Sequence, residues 1–135
     1  MNANKTWMLL ILEGSLFIAA ALVHFGILAR GYEHSKAAPA ETTIGIVLFA
    51  GLVLGLIFPL WSRVIALAAQ GFALFGTFVG LFTIAIGIGP RTIPDLVFHA
   101  FIVAILIAGL VVTARSRSGP DNELSPGSKS PVSQP

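Results

Sequence analysis

Four long apolar segments alternate with short polar ones along the chain. This pattern predicts membrane spans at residues 7–29, 42–60, 64–88 and 94–114. About 20 apolar residues are enough for a helix to cross the hydrocarbon core of a bilayer. Because the connections are short, consecutive helices are expected to run in opposite directions. We therefore predict an all-α integral membrane protein whose four transmembrane helices form an antiparallel bundle.

The chain divides into a predicted membrane domain and a predicted tail. The membrane domain covers residues 1–114, and residues 115–135 are rich in Ser, Pro and Gly. That tail has too few apolar residues to form a core, so it is predicted to be disordered. The Ala38-Pro39-Ala40 tripeptide has the form of a signal-peptidase site. The apolar stretch before it is too long for a signal peptide and contains Glu13, which favours a retained first span.

Composition excludes several classes of protein. Hydrophobic residues make up 56% of the chain and charged residues 10%, whereas a soluble domain is typically about 25% charged. The chain has no Cys, which excludes disulfides, thiolate metal sites and cysteine nucleophiles. The net charge of +2 fits an anionic lipid surface and gives no reason to expect a nucleic-acid partner. The lipid bilayer is the expected partner.

Basic residues predict the orientation of the chain, because cytoplasmic connections carry an excess of Lys and Arg. One side would hold Lys5, Arg63, Arg115, Arg117 and Lys129, and the other Arg30, Lys36 and Arg91. Both termini are therefore predicted in the cytoplasm of a bacterial-type inner membrane. Small residues at four-residue spacing, such as Gly51 and Gly55, predict close helix packing within the bundle. A homo-oligomer or a larger membrane complex is the alternative use of these faces.

The outer end of the predicted bundle collects most of the ionisable side chains. His24 lies near the end of the first span and His99 near the start of the fourth, so the two imidazoles are predicted at similar depth. Asp95 is one helical turn from His99 on the same face. The polar connection after the first span brings His34 and Glu41 to this end as well.

Three interpretations fit these five residues. Histidine and carboxylate side chains suit a divalent transition metal such as zinc. Alternatively, His24 and His99 would be axial ligands of haem b across the bundle. For the metal site Asp95 completes the main ligand set, and Glu41 and His34 support the metal or haem site. The third interpretation is structural: His24 donates a hydrogen bond to a backbone group or to the Asp95 carboxylate, Asp95 caps the fourth helix, and His34 is solvated.

A second polar position lies deeper in the predicted membrane. Glu13 is about six residues from the cytoplasmic end of the first span, and Gln70 is at a similar depth in the third. We predict a direct hydrogen bond between them that fastens the first helix to the third. Carboxylates inside membranes also mark proton or cation sites, so Glu13 is the candidate coupling residue of a transporter.

The leading functional prediction is a small polytopic inner-membrane protein that acts as an accessory or binding subunit, with a metal or haem site at the outer face. The alternatives are a small proton-coupled transporter that uses Glu13, and a purely structural scaffold. An enzyme is less expected, since the chain lacks a phosphate-binding Gly loop, a His-Glu-x-x-His motif and a Ser-His-Asp arrangement.

Overall fold

The computed structural model describes residues 3–116, and within that range it contains helices and no β-strand. A single 3-10 turn at Pro59–Trp61 precedes the third helix. The predicted tail from residue 117 onward lies outside the described residues. The four helices are α1 (Ala3–His24), α2 (Ala37–Ile57), α3 (Ser62–Ala85) and α4 (Ile93–Arg115).

The helices form a four-sided antiparallel bundle, as the hydrophobic pattern predicts. Helix α1 packs on α2 and α4, and α3 packs on the same two helices from the opposite corner. We call the end where α1 ends and α2 begins the cluster end. The opposite end, where α1 begins and α4 ends, is the termini end. Helices α1 and α3 occupy diagonally opposite corners of the bundle. A hydrogen bond between their side chains must therefore cross the middle of the bundle.

Apolar side chains fill the core and also cover the outside of the bundle. The fully buried apolar side chains include Phe17, Leu10, Leu48, Ile102 and Leu106. On the outside, the exposed side chains of α3 include Phe72, Phe75, Phe78 and Phe82. A surface of this kind is stable only against lipid or a partner protein. All four helices are long and apolar enough to cross a membrane, so the chain fits a small multi-pass membrane protein.

Helices α1, α2 and α3 all end earlier than the apolar segments predict, α2 at Ile57 rather than residue 60. Helix α1 ends at His24 rather than near residue 29, because Gly26 takes a left-handed conformation with φ of 73°. The N–H of Ile27 then donates to the carbonyl of Leu22, which closes the last turn. Gly87, with φ of 85°, ends α3 in the same way. The apolar residues that follow each helix lie in the connection and do not extend the helix.

Helix α2 begins at Ala37, five residues before the predicted span. Pro39 falls in its first turn, where the missing N–H of proline costs no helical hydrogen bond. Glu41 consequently lies inside the helix, facing the bundle, and is buried. Helix α4 begins with a capping box, in which Thr92 accepts from the N–H of Asp95 and the Asp95 carboxylate accepts from the N–H of Thr92.

Candidate functional site

The cluster end contains a buried imidazole between two buried carboxylates. His24 Nδ1 lies 2.7 Å from Glu41 Oε2, and His24 Nε2 lies 3.1 Å from Asp95 Oδ1. The three side chains come from α1, α2 and α4, and each residue is less than a tenth exposed. We call these three residues the histidine–carboxylate cluster. It ties together three of the four helices at this end.

The two hydrogen bonds of this cluster limit how protons, and therefore charge, can be distributed among its three side chains. Each of the two contacts needs one proton, so two protons are shared among one imidazole and two carboxyl groups. Either the imidazole carries both protons and both carboxylates are ionised, or a neutral imidazole faces one protonated and one ionised carboxyl. With no third proton on the outer oxygen of either carboxyl group, both arrangements leave one net negative charge. That charge is buried, so its electrostatic effect on nearby groups is stronger than in water.

The same geometry separates the cluster from an ordinary metal site. The two carboxylates lie on opposite edges of the His24 ring, because each contacts a different ring nitrogen. No single point is therefore within ligand distance of all three groups. Within residues 3–116, no group of three or more His, Asp or Glu side chains is arranged to hold a metal ion.

His99 is oriented by its own helix and stands apart from the cluster. Its Nδ1 lies 2.7 Å from the backbone carbonyl of Asp95. A carbonyl can only accept, so Nδ1 carries the hydrogen and donates it. In the neutral ring Nε2 is then an acceptor, and no hydrogen bond to it is present among the described residues. Gly80 makes room for this nitrogen: a Cβ atom on Gly80 would lie 3.2 Å from it.

His34 belongs to the connection between α1 and α2. Its Nδ1 accepts a hydrogen bond from the N–H of Ala37 over 3.1 Å, which caps the start of α2. Its ring centroid is 6.3 Å from that of His24, in an edge-to-face arrangement. The structure thus places His34 beside the cluster without a polar contact between the two imidazoles.

Two cavities flank the cluster. We call one of them the His99 cavity, and its volume is about 170 Å³. It is lined by residues from all four helices, including Phe17, Glu41, Thr77, Gly80 and His99. The other has a volume of about 370 Å³ and lies between α1 and α4, against Tyr32, His24 and Asp95. The two carboxylates of the cluster therefore face different cavities.

The second predicted site lies in the middle of the bundle. Gln70 Nε2 donates to Glu13, with both carboxylate oxygens at 3.1 Å. Both residues are fully buried, and we call them the central pair. Glu13 packs directly on the backbone of Gly109, where a Cβ atom would overlap Glu13 Oε1. Gln70 Oε1 is buried without a hydrogen-bond partner among the described residues.

Sequence reasoning did not identify three residues that shape these sites. Thr92 donates its hydroxyl hydrogen to Asp95 and so holds that carboxylate from behind. Thr83 adds a hydroxyl to the His99 cavity. Gly109 provides the space for the central pair. A Thr-x-x-Asp sequence ahead of an apolar run is a capping signal that would have indicated Thr92, but nothing local indicates the other two.

No known protein family, curated protein or solved structure is significantly similar to the chain.

Proposed function

We propose that this protein is a small binding subunit of the inner membrane that takes up a small ligand in the His99 cavity. The observation that supports the proposal is that Glu41 and His99 line the same cavity and that a hydrogen bond to another residue orients each side chain. Glu41 is bonded to His24, and His99 to the Asp95 carbonyl. Polar groups that are buried and oriented before a ligand arrives are typical of binding sites.

The surroundings of the cavity favour a ligand of limited size. A cavity of about 150 Å³ lined by apolar side chains can hold benzene, and the His99 cavity has about 170 Å³. Much of its wall is apolar, including Phe17, Ile44 and Ile84. Apolar walls lower the local dielectric constant, which strengthens the few polar contacts that a ligand makes.

The geometry favours an organic ligand over a metal ion or haem. His24 would have to give up a carboxylate contact to coordinate anything, because both ring nitrogens are within hydrogen-bonding distance of carboxylates. His99 Nε2 is the better available nitrogen, and a second histidine would have to move to face it. The metal and haem interpretations remain predictions that the optical spectrum and metal content of the purified protein would test.

The proposal can be tested by comparing the same substitution at two positions of α3. Gly80→Leu would place a side chain in the cavity beside His99. Gly71→Leu is the matched control, because a Cβ atom there has no other atom within 4 Å. Each detergent-purified protein would be heated with n-butylammonium, n-butanol and butyrate. A ligand at ten times its Kd stabilises the folded state by about 1.4 kcal/mol.

We expect at least one of the three solutes to raise the melting temperature of the parent protein and of Gly71→Leu but not of Gly80→Leu. Equal shifts in all three folded proteins would show that the solutes act elsewhere. The absence of any shift in the folded parent protein would also contradict the proposal.

A second candidate function rests on the termini half of the bundle. Three buried polar atoms there have no hydrogen-bond partner among the described residues: Gln70 Oε1, Thr6 Oγ1 and Thr113 Oγ1. With Glu13, these atoms are distributed along the bundle from the central pair to the termini end. Buried polar groups at these depths support proton-coupled transport with Glu13 as the coupling residue. Proton uptake by proteoliposomes containing Glu13→Gln, beside the parent protein, tests it.

A further inference from the structure

We propose that the ligand of the His99 cavity is a small protonated amine: an ammonium group carried on a short apolar body. This inference rests on the proposed function, since it names the chemical class that the same cavity would take. It is drawn from the hydrogen-bonding capacity of each polar side chain that faces the cavity, and from the charge of the cluster behind Glu41.

The deep polar groups of the cavity are all acceptors. Glu41 uses Oε2 for His24, and no hydrogen bond to Oε1 is present among the described residues. His99 presents Nε2, whose lone pair is free in the neutral ring because Nδ1 carries the hydrogen. Two acceptors of different kinds, one carboxylate and one imidazole, therefore face the same space.

The two threonines of the cavity add acceptors and no donors. Thr77 donates its hydroxyl hydrogen to the Ala73 carbonyl over 2.8 Å. Thr83 donates to the Gly80 carbonyl over 2.7 Å. A hydroxyl has one hydrogen to donate and two lone pairs to accept. Each of these oxygens therefore offers a ligand only lone pairs.

Side-chain donors occur only at the edge of the cavity, among the described residues that line it. Lys36 is exposed, and His34 is half-buried with Nδ1 already accepting from Ala37. Both belong to the segment that leads into α2 at the cluster end. A ligand inside the cavity consequently meets acceptors, while the donors lie where the cavity approaches the surface.

The charge of the site points to a cation. The histidine–carboxylate cluster carries one net negative charge when the protons of its two hydrogen bonds are its only ones, and Glu41 is its member in this cavity. A neutral alcohol would use some of the acceptors but would leave that charge uncompensated. An ammonium group provides up to three N–H donors and a positive charge at one atom, and the apolar walls receive the remainder of the molecule.

The test uses three solutes with equal numbers of non-hydrogen atoms. These are n-butylammonium, which has N–H donors and charge; tetramethylammonium, which has charge without N–H donors; and n-butanol, which has a donor without charge. Each would be titrated into the full chain in lipid nanodiscs, with binding followed by ligand-observed NMR. We expect n-butylammonium to bind at least about tenfold more tightly than either control, the factor expected for charge-assisted hydrogen bonds.

Two substitutions locate the ammonium group. Glu41→Gln should weaken n-butylammonium binding about tenfold, since it removes the cavity's carboxylate. Glu33→Gln is the matched control, because Glu33 is a carboxylate at the same end of the bundle, in the connection ahead of α2, and does not line the cavity. It should leave the affinity unchanged. If Glu41→Gln fails to fold, Thr77→Val removes one acceptor with little change of shape and should weaken binding about threefold.

The outcomes separate this inference from the proposed function. Cavity-dependent binding of n-butanol or tetramethylammonium as tight as that of n-butylammonium would overturn the amine assignment and leave the binding function standing. Unchanged n-butylammonium affinity in both Glu41→Gln and Thr77→Val would also overturn it. If no solute binds to the folded protein, the proposed function fails with it.

Discussion

The two buried polar sites of this bundle both pair ionisable side chains inside an apolar bundle, but they differ in what surrounds the pair. The central pair joins α1 to α3 across the middle of the bundle through two fully buried side chains, and it packs on the bare backbone of Gly109. The histidine–carboxylate cluster joins three helices at one end and lies between two cavities. Polar residues inside a membrane are costly unless they are paired. Pairing between fully buried side chains holds helices together, whereas pairing beside a cavity also places polar groups where a ligand could meet them.

The largest loss of stability is expected from filling the space beside the central pair, which tests whether that pair depends on close packing. In Gly109→Ala the new methyl carbon would overlap Glu13 Oε1 and would lie 2.5 Å from Gln70 Nε2. Because both partners are fully buried, neither can move aside without disturbing the packing around it. We expect a loss of about 3 kcal/mol in the free energy of unfolding, measured by denaturation in mixed micelles.

Gly71→Ala is the control for that experiment. It makes the same change next to Gln70, where a Cβ atom has no other atom within 4 Å. Its free energy of unfolding should stay within about 1 kcal/mol of the parent value. Similar losses in the two variants would show that space at Gly109 is not what the central pair requires.

Removing the partner of the carboxylates at each site should have an intermediate effect on stability. The effect should be larger at the cluster, where two carboxylates share one partner. His24→Leu leaves both Glu41 and Asp95 without the imidazole, whereas Gln70→Leu removes the partner of Glu13 alone. We expect losses of about 2 kcal/mol and about 1 kcal/mol respectively in the free energy of unfolding, measured under identical conditions. A larger loss for Gln70→Leu would mean that the central pair stabilises the bundle more than the cluster does.

The smallest effect on stability is expected for Glu13→Gln. The new amide can still accept from Gln70 Nε2, and it can donate to Gln70 Oε1, which is otherwise without a partner. The free energy of unfolding should therefore stay within about 0.5 kcal/mol of the parent value. Because folding is preserved, loss of proton uptake in this variant would identify Glu13 as a coupling residue, and full retention would remove the transport candidate.

Several features of the cluster could be predicted from the sequence, because they follow from depth along a helix. Antiparallel spans bring the end of α1 and the start of α4 to the same level, which was enough to associate His24 with Asp95. The depth argument likewise associated Glu13 with Gln70. Depth does not give rotation about the helix axis or the rotamer of a side chain. It therefore left open whether His24 faces Glu41, His99 or neither.

Hydrophobicity determined the fold class, because any four apolar segments of this length must become helices that satisfy their backbone hydrogen bonds internally. Hydropathy could not locate the helix ends, since glycines at positive φ stop α1 and α3 inside the apolar segments. Only the tertiary structure decided that the carboxylates occupy opposite edges of His24 and that His99 lines the same cavity as Glu41. Those relations depend on distances of about 3 Å between side chains on different helices, and no pattern along a single chain encodes them.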